Sequence, residues 1–309
     1  MPVVVLLGPQ RLRPILVQAF EALKVEGPVA AVTAGWEERE DEIDELSQHL
    51  ARPVQNLGLH RRGEDVLLRD PELLLGVGDF LNRRRELRAA YRLRLAHALD
   101  TVREVMAAGF EPSLAAEEVE SAISVVRSID GHHRERMRGA RLEFESIWKP
   151  HERDAVAHHR EEIGKILDGA SALALAGGHV GILLDRLRLF GVASLWGERP
   201  VFAWSGGAMV ASEEVVLFHD SPPQGPGHAE VLDEGLGFCR GVLPLPHAKR
   251  RLALDDPTRV AILARRFAPL RAFALDSECR LTVSARGRVS VARARELLPA
   301  GDVADVSAA

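Results

Sequence analysis

Three stretches of this 309-residue chain put reactive side chains where a fold could use them. The apolar run Val201–Trp204 leads directly into Ser205-Gly206-Gly207-Ala208. A strand that passes at once into a helix must turn sharply at Ser205, so its neighbours must be tiny. Such an elbow exposes the serine hydroxyl at the carboxyl end of a sheet, where α/β folds hold their ligands. The N–H of Gly206 would then face the oxyanion formed when the hydroxyl attacks a carbonyl carbon. The first small position of the pattern holds Ala203 rather than glycine, and a plain glycine-rich strand–helix turn has the same composition. In the second stretch, Ala174–Ala176 run into Gly177-Gly178-His179. A turn of that kind offers backbone N–H groups to an anion or a carbonyl oxygen. It lacks the spacing of a dinucleotide fingerprint and is no Walker loop. In the third, Gly235-Leu236-Gly237-Phe238 is followed by Gly241-Val242 and an apolar run that ends in Pro246-His247. A serine nucleophile needs a general base within hydrogen-bond reach, and histidine is the usual one. A loop histidine is more often a plain surface residue; the strand before His247 and the elbow upstream single it out.

The elements that would position these residues follow from hydrophobic period. Val3–Leu7, Val29–Thr33 and Val54–Leu59 read as buried strands, with helices over Arg13–Leu23 and Glu37–Leu50 between them. That alternation predicts a mostly parallel sheet flanked by helices. From about Asp70 to Asp168 the strand signals stop. Helical patterns over Leu81–Ala108, Leu114–Arg138 and Arg141–Leu167 take their place, with breaks at Gly109–Pro112, near Gly131 and at Pro150. This block reads as an inserted helical subdomain or cap, and part of it could be a dimerisation arm. The alternation resumes with strands Ala172–Ala176, Val201–Trp204 and Gly241–Leu245 and a helix over Val180–Phe190. A further helix over Asp256–Arg266 is capped by Asp255 or Asp256. Late strands at Ala272–Leu275 and Arg280–Ser284 precede a hairpin turn at Arg286–Arg288, and the tail after Pro299 reads as frayed. The division expected is residues 1–70 and 170–300 as one α/β domain and 71–169 as its insertion.

Taken together, the three blocks resemble the peptidase E and cyanophycinase-like serine hydrolases of the class I glutamine amidotransferase-like superfamily. The resemblance rests on Gly177-Gly178, on Ser205-Gly206-Gly207-Ala208, and on Gly235-Leu236-Gly237-Phe238 through Gly241-Val242 to His247. Thr33-Ala34-Gly35-Trp36 looks like the family's second strand end. The match spans about residues 1–70 and 170–285. The resemblance implies a flavodoxin-like α/β fold with Ser205 as nucleophile, His247 as base, and Gly178 and Gly206 as the oxyanion hole. The third member of a triad would be Asp276, at a late strand end, or Asp220 in the segment after the nucleophile. The family's glutamate position falls on Ser277, flanked by Asp276 and Glu278. His179 stands where the family has a polar residue facing substrate, beside Gly177. The family acts on aspartyl peptides or an aspartate polymer, so a small peptide or peptide-like substrate, acidic or aspartyl, is implied. A non-catalytic relative that binds or assembles is the rival, motivated by Ser277 and by the large insertion. The elbow holds serine rather than cysteine, which argues against an amidotransferase proper. Trp36 and Trp204 end strands near the site and suit either a pocket wall or core packing.

Composition narrows the rest. With 46% hydrophobic and 28% charged residues the chain can bury a core, so wholesale disorder is excluded. A net charge of −5 argues against a nucleic-acid partner. The arginine run Arg83-Arg84-Arg85, with Arg88, Arg92 and Arg94, reads as a solvated helix face. Cys239 and Cys279 lack metal or scaffold spacing and suit a reducing compartment. No apolar run is long enough for a membrane span, and the first residues are too short for a signal peptide; a cytoplasmic protein is expected. His132, His133, His151, His158 and His159, with Glu152 and Glu162, crowd the helical block. They show no His-Glu-x-x-His spacing and read as polar-face residues, so neither metal nor cofactor is expected. The helical arm is compatible with a homodimer.

Overall fold

The computed structural model describes residues 1–219 and 227–306. The first unit runs β1 (Val4–Leu7), α1 (Leu16–Ala22), β2 (Val29–Val32), α2 (Asp44–Leu50) and β3 (Val54–Asn56). Four helices follow: α3 (Leu59–Arg69), α4 (Pro71–Ala107), α5 (Pro112–Trp148) and α6 (Asp154–Asp168). The chain then returns through β4 (Ala172–Leu175), α7 (Val180–Leu189), α8 (Val192–Trp196), β5 (Val201–Trp204) and α9 (Gly206–Ala211). Next come β6 (Glu214–Leu217), β7 (Glu230–Glu234), β8 (Val242–Pro246), α10 (Ala248–Arg251) and α11 (Pro257–Phe267). Strands β9 (Arg271–Leu275), β10 (Arg280–Val283), β11 (Val289–Ala292), β12 (Ala294–Leu297) and β13 (Val303–Val306) close it.

Seven strands form the central sheet in the order β11-β10-β1-β5-β4-β2-β3. The five from β1 to β3 in that order are parallel, and β10 and β11 add an antiparallel edge. Strands β1, β2, β4 and β5 are buried along their whole length. That is why they read as unbroken apolar runs instead of alternating ones. Successive side chains enter two cores: Val4, Leu6, Leu173 and Ala203 one, Val5, Leu7, Ala174 and Phe202 the other. A second sheet, β13-β12-β9-β8, holds β8 parallel to β9, and β6 pairs with β7 as a separate hairpin. The fold is therefore mixed α/β with a mostly parallel central sheet.

Several expectations change. The helix expected over Glu37–Leu50 is a 3₁₀ turn, Ala34–Arg39, followed by α2 alone, because Glu37 takes φ 58 and ψ −124 and breaks any helix there. The helical stretch begins at Leu59, not near Leu81; Asp70 caps α4 by accepting from the Leu73 N–H, with Pro71 in its first turn. Helix α5 runs through Gly131 without a break, since Val126, Ile129, Asp130, His133 and Met137 are all buried against neighbours. Packing of that kind outweighs the roughly 1 kcal/mol a helical glycine costs. Up to Val306 the segment after Pro299 is not frayed: β13 pairs along its whole length with β12.

The α4–α5 hairpin docks through ion pairs, some buried and some half exposed. Arg84 donates to Asp185 at 2.7 and 2.9 Å, Arg92 to Glu230 at 2.8 Å, Arg134 to Glu214 at 3.1 Å and Arg141 to Glu234 at 2.6 Å. In the opposite sense Asp130 of α5 accepts from Arg266 of α11 at 2.6 and 2.7 Å, with the Tyr91 hydroxyl completing the cluster. Arg84 is 6% exposed, so it is no part of a solvated face.

Candidate active site

Ser205 follows β5 in the conformation φ 51, ψ −127, which an L-residue adopts only under constraint. The constraint is local packing. A Cβ on Gly207 would stand 2.1 Å from the Leu175 carbonyl oxygen, and one on Gly177 would stand 2.6 Å from the Ser205 Cβ. Three strand-end turns therefore touch backbone to backbone. The His179 N–H donates to the Gly35 carbonyl at 2.7 Å, and a Cβ on Gly178, at φ +100, would lie 2.0 Å from that same oxygen. Only glycine fits where β2, β4 and β5 end together.

His247 arrives from the second sheet. It ends β8 in the left-handed region, φ 58 and ψ 33, and its N–H donates to the Leu275 carbonyl at 3.1 Å. Its Nε2 lies 3.0 Å from the Ser205 Oγ. With Nε2 free of its proton it accepts the hydroxyl hydrogen. Burial, reinforced by the nearby positive charges of Arg251 and Arg250, holds the imidazole below its usual pKa, while Asp276 works in the opposite direction. The ring is therefore neutral near pH 7, the state a general base requires.

The structure does not bring Asp276 onto the ring. Its Oδ1 accepts from the Lys249 N–H at 2.9 Å and its Oδ2 from Arg295 at 3.0 Å. Glu278 pairs with Arg13 and Arg293 at 3.3 and 3.6 Å. Ser277 is exposed. Asp220 lies outside the described residues. Among the described residues, the hydrogen bond recorded for the His247 ring is the one to Ser205. Gly178 and Gly206 lie side by side at the elbow: a Cβ on Gly206 would meet the Gly178 carbonyl oxygen at 3.2 Å. Gly177 is buried beneath them. His179 caps α7, its Nδ1 accepting from the Ile182 N–H at 3.1 Å, and its side chain is exposed beside the turn. Trp36 packs, half-buried, against the core that holds Phe20 and Phe202, and Trp204 is buried in it.

Two features escaped sequence reasoning. Lys249, Arg250 and Arg251 form a short basic helix directly after His247; the run was visible, but its place beside the ring was not. Glu37 repeats the strained backbone of Ser205 in the turn after β2, one strand removed from β5, and no composition signal marks it. Both cysteines are buried, and burial pushes the Cys239 thiol up to about 12, so neither is an activated thiolate. His158, His159 and Glu162 do cluster, one potential ligand atom from each lying within 4.8 Å of the others. The Arg62 guanidinium occupies that cluster, 2.9 Å from His159 Nδ1 and paired with Glu162. A fixed cation there disfavours a metal ion. His133 is buried against Tyr91, ring centroids 4.0 Å apart, and His151 contacts the Arg188 carbonyl at 3.2 Å.

The chain matches no family model and no curated protein. Among solved structures it is similar to one described as a peptidase from an acI-B1 Actinobacterium, at 12% identity and a TM-score of 0.49, over 100% of this chain and 95% of that one. Among the described residues no helix is long and apolar enough to cross a membrane.

Proposed function

We propose that the protein is a serine hydrolase that cleaves a peptide-like amide bond through an acyl-serine intermediate. The observation that carries this reading is a serine at a strained strand–helix elbow with a depressed-pKa histidine 3.0 Å from its hydroxyl. His247 Nε2 takes the Ser205 proton as Oγ bonds to the substrate carbonyl carbon. The N–H groups of Gly178 and Gly206 receive the negative charge that forms on the carbonyl oxygen. The imidazolium returns its proton to the leaving amine as the C–N bond breaks. Water, deprotonated by the same ring, then releases the acid and restores Ser205. No metal or cofactor enters the scheme. In this reading residues 1–70 and 170–300 form a glutamine amidotransferase-like domain of the peptidase E and cyanophycinase type, and 71–169 its helical insertion. The basic helix Lys249–Arg251 beside His247 favours a small acidic or aspartyl peptide. His179 and Gly177 border the same turn.

The engagement of Asp276 away from the ring favours a second reading, a non-catalytic relative that serves as a binding or assembly protein. A broad fluorophosphonate probe separates the two. The hydrolase reading expects labelling confined to Ser205 and abolished by Ser205→Ala. Folded protein that stays unlabelled, or labels elsewhere, refutes it.

A further inference from the structure

We propose that Asp276 is a positioning residue for His247, acting through the backbone of the turn that carries the ring and not through a hydrogen bond to the imidazole. This rests on the Ser205–His247 hydrolase reading. The ends of β8 and β9 lie side by side, and the end of β9 holds the turn at two points. The Leu275 carbonyl takes the N–H of His247 at 3.1 Å, and Asp276 Oδ1 takes the N–H of Lys249 at 2.9 Å. Those two N–H groups span His247 and Ala248, and of these His247 stands in the left-handed region. A histidine in that conformation needs such a bracket, because an unconstrained side-chain-bearing residue leaves it.

Asp276 is itself fixed. Arg295 holds Oδ2 at 3.0 Å, and the Cys279 N–H donates to its carbonyl at 3.1 Å. A Cβ on Gly8 would fall 1.7 Å from that carbonyl oxygen, so the end of β1 is pressed against it. Both carboxylate oxygens are thus committed to the turn and to Arg295. The negative charge still reaches the ring through space, where it opposes Arg251 and Arg250. Among the described residues, Asp276 orients the backbone beneath the imidazole and not its Nδ1–H.

Asparagine at 276 separates the two roles, because it is isosteric and keeps Oδ1 for the Lys249 N–H while Arg295, 26% exposed, swings to water. Two readouts are taken on the full chain: the second-order rate of fluorophosphonate labelling, and the His247 ring pKa by NMR titration, assigned with His247→Gln. The proposal expects Asp276→Asn to slow labelling by no more than about tenfold and to lower the ring pKa by less than about half a unit. Asp276→Ala, which frees the turn, should slow labelling by about 100-fold or more and let the ring pKa rise towards 6.5 as it meets solvent. A loss of about 10⁴ in Asp276→Asn, equal to that in Asp276→Ala, would overturn it. So would a drop of a full unit or more in the ring pKa of Asp276→Asn, the mark of a lost direct ion pair. Wild-type protein that does not label refutes the hydrolase reading alone, and the titration still decides the role of Asp276.

Discussion

Backbone strain at Ser205 can be measured without knowing any substrate. Its φ of 51 and ψ of −127 lie in a region open to glycine and closed to side-chain-bearing residues. Holding one residue there costs about 2 kcal/mol. Ser205→Ala and Ser205→Gly both remove the hydrogen bond to His247, so their difference isolates the backbone. Alanine keeps the strain. Glycine removes it, at an entropic cost of about 0.7 kcal/mol in the unfolded chain. Ser205→Gly should therefore be more stable than Ser205→Ala by about 1 kcal/mol, or about 2 °C in Tm for a chain of this size. The assay is urea unfolding of the two variants side by side, reading the midpoint at constant slope. Glu37 supplies a replicate away from Ser205, since its φ of 58 and ψ of −124 match. Glu37→Gly should exceed Glu37→Ala by a similar margin. If Ser205→Gly proves no more stable than Ser205→Ala, the elbow is not strained and the argument for an activated serine loses its structural basis.

Gly177→Ala would drive a methyl to 2.6 Å from the Ser205 Cβ and 2.9 Å from the Gly206 nitrogen. It should cost about 1–3 kcal/mol of stability and slow probe labelling by about 100-fold, checked by urea unfolding and labelling kinetics. Burial lowers the His133 pKa from 6.5 to about 4. The unfolded chain therefore takes up a proton that the folded chain refuses. Stability is fully present above about pH 6.5 and falls by about 3 kcal/mol as the pH drops to 4. The buried Glu214, whose pKa is raised by desolvation, works in the opposite direction in its own range. His133→Phe, which keeps the stack on Tyr91, should flatten the loss between pH 6.5 and 4.5, read as urea midpoints. Arg266→Leu should destabilise by about 3–5 kcal/mol, because the buried Asp130 charge loses its cation and keeps the Tyr91 hydroxyl as its donor. Adding Asp130→Leu to Arg266→Leu should recover most of that loss in a double-mutant cycle; an additive cycle would mean the pair is not coupled.

The parts of the site that the sequence displays are those whose cause is local. A serine elbow needs glycine beside it, and a sheet buried on both faces needs unbroken apolar strands. Ser205, Gly177, Gly178 and His247 therefore stand at recognisable strand ends, and the structure brings them together. What stayed hidden has long-range causes. Asp276 at a strand end looks like a triad acid until Lys249 and Arg295 are seen to occupy it. A run of arginines on a helix looks solvated until acids arrive from elsewhere in the chain. Those acids explain why the helical block could not be interpreted from its own residues. Glu214, Glu230, Asp233 and Glu234 all lie on the β6–β7 hairpin, which begins just after α9 ends. Through Arg134, Arg92, Arg84 and Arg141 helices α4 and α5 grip the segment that continues from the elbow helix. Helix α9 is tied to the same segment, since the Leu236 N–H donates to the Val210 carbonyl at 2.7 Å. Displacing α4 and α5 would thus strip the buried Glu214 of Arg134 and leave the buried Asp233 to Arg188, on the segment that follows the elbow helix. The α4–α5 pair and the elbow are held by one connected set of contacts, and neither can be understood from its own stretch of sequence.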